Sequence, residues 1–241
     1  MKTVLITGAN KGIGFETAKQ MAELGYFVYL GSRDKVKGTE AVSKLNALGN
    51  SNVEPIEIDV ADIYSIQKAK EELEGKTEHL DVLINNAGIA LVGTPQIASS
   101  VKIETIQQLF ETNFYGAIQT TQQFLNLLKK SDEPRIVNVT SDLGSLTIQS
   151  DPNWIYAKIK PLGYMASKTA LNAFTIALAY ELKDTNFKVN SVNPGATATD
   201  LNNHMGKRTP EFSAQIIVKC ATLKKDEPSG KFYSEEGELP W

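Results

Sequence analysis

Short apolar runs rich in β-branched residues alternate with longer stretches of helical spacing along the whole chain. Thr3-Val4-Leu5-Ile6-Thr7 and Tyr26-Phe27-Val28-Tyr29-Leu30 read as the first two strands. Val53 to Ile58, Leu80 to Ile84, Arg135 to Thr140 and Lys188 to Val192 read as further strands. Between them, Gly12 to Leu24 places Ile13, Thr17, Met21 and Leu24 on one side of a helix, and Asp34 to Leu48 ends at Gly49. Helices are also predicted over Ile63–Leu73, Ile103–Leu128 and Ala166–Leu182. Strands that alternate with helices make βαβ units, and right-handed crossovers between them give a doubly wound parallel sheet covered on both faces. The expected fold is therefore α/β, with about seven strands in one domain over residues 1–241.

Two stretches break the rhythm. Thr147 to Gly163 contains Pro152, Trp154, Tyr156 and Pro161, and Thr197 to Pro210 is polar and irregular. Both follow strands at the carboxyl edge of the sheet, where open α/β folds bind ligands. The first is expected to be an insertion whose Trp154 and Tyr156 wall a substrate pocket, and the second a lid.

The bulk numbers narrow the class. A net charge of −3 with no basic run points away from nucleic acid and anionic membranes. No apolar stretch is long enough to span a bilayer, and the first strand begins too early for a leader, so a soluble cytoplasmic protein is expected. The one cysteine, Cys220, has no partner for a disulfide and reads as a spare thiol. His79 and His204 have no ligand at metal-binding spacing, so no metal is expected.

The turn Thr7-Gly8-Ala9-Asn10-Lys11-Gly12-Ile13-Gly14 joins the first strand to the first helix. Gly8 permits the tight turn, Gly12 a close backbone approach to a pyrophosphate, and Gly14 close packing of helix on strand. With Asn10, Lys11 and Ile13 these form a dinucleotide cradle at a helix N-terminus, the mark of a Rossmann-type domain. The second strand ends Ser32-Arg33-Asp34. An acid there would select the ribose 2′-hydroxyl of NAD, whereas Arg33 suits the 2′-phosphate of NADP(H), and Lys11 could reach the same phosphate. Asp34 is the only acid nearby, and could instead pair with Arg33. Asp59-Val60 follows the third strand, where the carboxylate could accept from an adenine amino group or cap the next helix. Asn86-Ala87-Gly88 follows Asn85 at the fourth strand end and would pass close to the cofactor.

These motifs, together with Asn113, Ser141, Tyr164-Met165-Ala166-Ser167-Lys168 and Pro194-Gly195, stand in an order that resembles the short-chain dehydrogenase/reductase family. The resemblance covers nearly the whole chain. Asn10-Lys11, Ser32-Arg33, the insertion and the C-terminal Gly230 to Trp241 are similar to the carbonyl reductases. It implies an NADP(H)-dependent reductase of ketones and aldehydes, with a small carbonyl or alcohol molecule as substrate. Carbonyl reduction puts charge on oxygen, so a donor must stand there and finally give a proton. The resemblance assigns that role to Tyr164. Lys168, one turn along the same helix, could lower the phenol pKa and hold the nicotinamide ribose. Ser141 would donate to the substrate oxygen, and Asn113 would place a water in a relay to Lys168. Pro194 and Gly195 would border the nicotinamide, with Thr197 and Thr199 available to its carboxamide or the phosphates.

Tyr156-Ala157-Lys158-Ile159-Lys160 repeats the Tyr-x-x-x-Lys spacing closer to Ser141. Pro161 bars a helix through Lys160, whereas Tyr164 leads into a long helical run, so Tyr164 is the expected acid. Two alternatives compete. An epimerase or dehydratase on this fold usually has a longer chain, and a silent nucleotide sensor usually lacks the tyrosine or lysine. By analogy, the insertion could cover the dimer face and leave a monomer, and a homodimer is the other expectation.

Overall fold

The computed structural model describes residues 1–241. Eight strands form one sheet in the order β3-β2-β1-β4-β5-β6-β7-β8. They are β1 (Thr3–Ile6), β2 (Phe27–Ser32), β3 (Val53–Glu57), β4 (Val82–Asn85), β5 (Arg135–Val139), β6 (Lys188–Val192), β7 (Phe232–Ser234) and β8 (Gly237–Glu238). All pairs are parallel except β7 with the two-residue β8. The first six match the apolar runs of the sequence, and the sheet has one strand more than expected.

Successive strand residues face opposite sides, so the sheet feeds two cores. Val4 and Ile6 of β1 enter one core, with Met21 and Ala22 of α1 (Gly12–Glu23), Leu45 of α2 (Lys35–Ala47) and Ile217. Leu5 enters the other, with Ile66 of α3 (Ile63–Glu74), Phe124 and Leu178. A parallel sheet buried on both faces needs near-continuous apolar strands, as β1 and β4 supply. Asp34 and Asp62 cap α2 and α3 by accepting from Lys37 N–H and Tyr64 N–H. Asp62, not Asp59, is therefore the cap of α3.

Three helical features differ from the pattern. The predicted helix over Ile103–Leu128 is α4 (Ile103–Phe110) and α5 (Gly116–Leu128), joined without a break by a π turn at Glu111–Tyr115 that contains Asn113. The short α6 (Leu146–Ser150) opens the insertion, and α7 (Leu162–Glu181) starts ahead of Ala166, directly after Pro161. The expected lid ends where α8 (Pro210–Ala221) begins, with Thr209 accepting from Phe212 N–H as its cap. Cys220 is buried in α8, and burial pushes its thiol up to about 12, which makes it inert at neutral pH.

The strand order reverses between β1 and β4, which opens a crevice at their carboxyl ends. Beneath it a buried polar ladder fixes β4, β5 and β6 in register. Asn85 donates to Asn138 (2.8 Å) and Thr121 (2.9 Å), Asn138 to Thr175 (2.8 Å), and Ser191 to Thr175 (2.8 Å).

Candidate active site

A cleft of about 1500 Å³ runs along the carboxyl edge of the sheet, large enough for a dinucleotide and a second molecule. One end is the turn between β1 and α1. Gly8 and Gly12 adopt left-handed backbone (φ 63° and 60°). A Cβ on Gly14 would lie 2.5 Å from Asn86 Nδ2 and 2.6 Å from the Gly8 carbonyl. Thr7 ties this turn to the end of β4, its hydroxyl accepting from the backbone N–H of Asn86 and Ala87, both at 3.0 Å. Asn86 returns the contact by donating to the Thr7 and Gly8 carbonyls. The cleft is thus lined by backbone that only small residues permit.

Arg33, Asp59 and Val60 line the same end. Asp34 turns away to cap α2 and pairs with Lys37 at 3.4 Å, so Arg33 is exposed and makes no ion pair. Lys11 is drawn across the cleft mouth instead of toward Arg33. Its ammonium meets Asp200 at 2.6 Å, and Asp200 also holds His204 at 2.9 Å. Thr199 reaches the glycine turn, its methyl 3.4 Å from where a Cβ of Gly12 would sit. Thr197 is less available than expected, because its hydroxyl is shared between Gly195 O and Ser213. Pro194 and Gly195 line the middle of the cleft.

Ser141, Tyr164 and Lys168 meet at the floor of the other half. Tyr164 stands in the first turn of α7 and Lys168 one turn later, with its Nζ 5.9 Å from the phenol ring centre. The Lys168 ammonium donates to Val139 O of β5 at 2.9 Å. Burial lowers its pKa to about 8. The expected depression of the Tyr164 pKa is reversed. Burial first, and the charge of Asp142 second, push the phenol up to about 12, against an opposing hydrogen bond from Ser141. Desolvation of a buried phenolate outweighs an ammonium that already bonds elsewhere.

Asn113 is fully buried in the π turn. Its amide accepts from Ile89 N–H (2.8 Å) and donates to Ile89 O (2.9 Å) and Ser167 (3.0 Å). The side chain thus holds the segment after β4 against α7. A Cβ on Gly88 would lie 3.3 Å from Asn113 Oδ1 and 3.4 Å from Lys168 Nζ. The π turn widens the helix where this close approach occurs.

Trp154 and Tyr156 line the same cleft, with ring centres 5.4 Å apart in a T shape. Tyr156 lies in a turn rather than a helix, and Lys160 donates to Gln149 O at 2.7 Å. The second Tyr-x-x-x-Lys spacing therefore does not place its two members on one helix face.

Four supporting residues were not singled out from the pattern. Thr7 and Ser167 sit inside quoted motifs but act through contacts remote in sequence. Asp142 follows Ser141 and lines the cleft. Gln96 accepts from Tyr164 N–H at 3.0 Å and donates to Ala90 O at 2.8 Å, while its own carbonyl accepts from Leu162 N–H. It thereby satisfies free donors of the first turn of α7 and fixes where Tyr164 begins. Gln96→Leu is expected to lower kcat about tenfold, the scale of one lost hydrogen bond to a buried donor, while Kd for the cofactor stays within twofold. Steady-state kinetics beside a cofactor titration checks this.

A family model described as short chain dehydrogenase matches residues 2–210. Short-chain dehydrogenase anuI of Penicillium roqueforti is 38% identical over 242 aligned positions, covering 98% of this chain and 95% of that protein. (+)-Neomenthol dehydrogenase of Capsicum annuum is 32% identical, covering 95% and 94%. The crystal structure of NADPH-bound carbonyl reductase from chicken fatty liver superposes with a TM-score of 0.85 at 26% identity, covering 100% and 99%. With the glycine turn, the strand order and the Tyr164–Lys168 turn already in place, these likenesses assign the chain to the short-chain dehydrogenase/reductase family, enzymes that use nicotinamide cofactors to interconvert alcohols and carbonyl compounds.

Proposed function

We propose that the chain is an NADP(H)-dependent carbonyl reductase in which Tyr164 is the acid. One observation carries the reading: Tyr164, half-buried, and Lys168, buried, occupy successive turns of α7 beside Ser141, in the cleft that ends at the glycine turn. The relatives named as a dehydrogenase of neomenthol and a carbonyl reductase support it.

The cradle fits a dinucleotide. Gly8, Gly12 and Gly14 clear its path, the N-terminus of α1 faces a pyrophosphate, and Asn10 and Ile13 flank it. Asp59 and Val60 border an adenine, and Ala87, Gly88, Pro194, Gly195 and Thr199 border the nicotinamide half. When bound, reduced nicotinamide supplies a hydride to the carbonyl carbon. The chain supplies everything else. Ser141 donates to the carbonyl oxygen, Tyr164 gives it a proton, and Lys168 holds the ribose as an ammonium. With burial raising its pKa, the phenol is in its protonated form at neutral pH, the form that donates in the reductive direction.

Arg33 carries the cofactor choice. With Asp34 turned away to cap α2, its guanidinium makes no ion pair and is free for a 2′-phosphate. Fluorescence titration should show NADPH bound at least tenfold more tightly than NADH, and Arg33→Ala should remove most of that preference. Equal Kd values in the wild type would overturn the NADP assignment.

Lys168 gives the pH dependence. The form that holds the ribose is the ammonium, which is lost as pH rises through about 8. The kcat/KM for NADPH, which reports the free enzyme, is expected to fall above that pH and to stay level just below it.

A further inference from the structure

Hydride transfer explains Ser141, Tyr164 and Lys168, but not the residue between them in the cleft. Asp142 lines the same space as Tyr164 and is half-buried. Its direction is set locally. One carboxylate oxygen accepts from Leu143 N–H at 2.9 Å and from the Ser141 hydroxyl at 3.0 Å. No Lys, Arg or His nitrogen forms an ion pair with it. Burial pushes the Asp142 carboxyl above its usual range, opposed by its bonds to Ser141 and Leu143 and more weakly by Arg208, whose guanidinium is committed to Glu235 at 2.7 Å.

An anion here is a liability for an uncharged substrate. It works against the negative charge that a carbonyl oxygen gains during reduction, and its field already reaches the Tyr164 phenol. A cation on the substrate would cancel that cost and gain a charge-assisted hydrogen bond. The cleft lining has matching chemistry. Trp154 and Tyr156 present aromatic rings to the cleft, and the Trp154 ring already draws the Lys160 ammonium to 5.8 Å from its centre. Lys160 is held by Gln149, and Lys158 is exposed at the rim.

We propose that Asp142 is a specificity residue that pairs with a protonated amine on the substrate, so that the chain reduces amine-bearing ketones in preference to uncharged ones of the same shape. The proposal rests on the carbonyl reductase reading for its chemistry, but the pairing can be tested apart from turnover.

The probes are a cyclic ketone with a protonated tertiary amine in its ring (N-methyl-4-piperidone) and its carbon isostere (4-methylcyclohexanone). The kcat/KM ratio of amine to isostere is compared in the wild type and in Asp142→Asn, which keeps an oxygen for Leu143 N–H. The ratio should favour the amine at least tenfold in the wild type and fall about tenfold or more in the variant, the scale of one bond to a charged group. In parallel, calorimetry with NADP⁺ present measures binding of the two corresponding alcohols. Tighter binding of the ammonium alcohol that Asp142→Asn abolishes supports the pairing even if neither ketone turns over, in which case the reductase reading alone fails. Turnover of both ketones with the same ratio in both enzymes, or no preference between the alcohols, overturns the pairing and leaves the reductase reading standing.

Discussion

Tyr164→Phe is expected to lower kcat about a thousandfold while leaving the affinity for NADPH within a few fold. The substitution removes one oxygen from a ring that is otherwise packed inside the cleft, so the fold and the cofactor turn are untouched. What goes is the proton donor, and a positioned acid contributes about 10²–10⁴ in rate. Ser141 would remain as a hydrogen-bond donor, but an alcohol is a weaker acid than a phenol, and Asp142 competes for its hydrogen at 3.0 Å. Tyr156→Phe serves as the control. Tyr156 sits on a turn and its nominal partner Lys160 is tied to Gln149, so this variant should keep most of kcat. Single-turnover decay of reduced nicotinamide fluorescence, measured with saturating ketone, separates the chemical step from product release. A Tyr164→Phe enzyme with more than a tenth of the wild-type rate would remove that residue from the chemistry.

The second large effect is expected at the other end of the cleft. Gly14→Ala puts a methyl group 2.5 Å from Asn86 Nδ2, 2.6 Å from Gly8 O and 2.9 Å from Ala9 Cα. All three belong to the clasp that joins the glycine turn to the end of β4. The Asn86 amide donates to Thr7 O and Gly8 O, so it cannot swing away without losing both bonds. Overpacking costs about 1–3 kcal/mol and two lost hydrogen bonds about 1 kcal/mol each. Since the clasp shapes the cradle, much of this should appear as weaker cofactor binding. A Kd for NADPH raised about a hundredfold is expected, together with a lower Tm of the free protein. Titration and thermal unfolding of the same sample read the two parts, and a Kd within twofold of wild type would show that the turn tolerates a side chain.

What could be read from the chain was whatever depends on local pattern. The first six strands are apolar runs bounded by turn residues, and their positions follow directly. The glycine turn is legible because left-handed backbone at Gly8 and Gly12 leaves few other residues possible. That Tyr164, and not Tyr156, begins a long helix was legible because Pro161 acts locally, directly ahead of α7. Other features had weaker marks. α8 has a start signal in Thr209-Pro210, but that pair also reads as the end of an irregular stretch. The π turn around Asn113 carries no sequence mark, since one extra residue in a helix leaves the apolar spacing nearly unchanged. β8 is two residues long and exists through its pairing with β7.

The least legible features depend on contacts between distant segments. The Lys11 ammonium meets Asp200 across the whole domain in sequence, and nothing near either residue announces the other. Gln96 reaches Tyr164 N–H from a loop with no motif. The proton affinity of Tyr164 is set by burial and by Asp142, whereas spacing alone suggests only the helpful lysine. Residue order thus conveyed which groups the site contains, while their charge states came from packing.

The most direct test of the account is the loss of NADPH absorbance with a panel of activated ketones and aldehydes, run beside NADH. The account predicts NADPH consumption matched by equal amounts of alcohol product, with NADH much slower at equal concentration. Tight NADPH binding with no turnover on any carbonyl in the panel would contradict it, and would make the chain a nucleotide-binding protein without reductase activity.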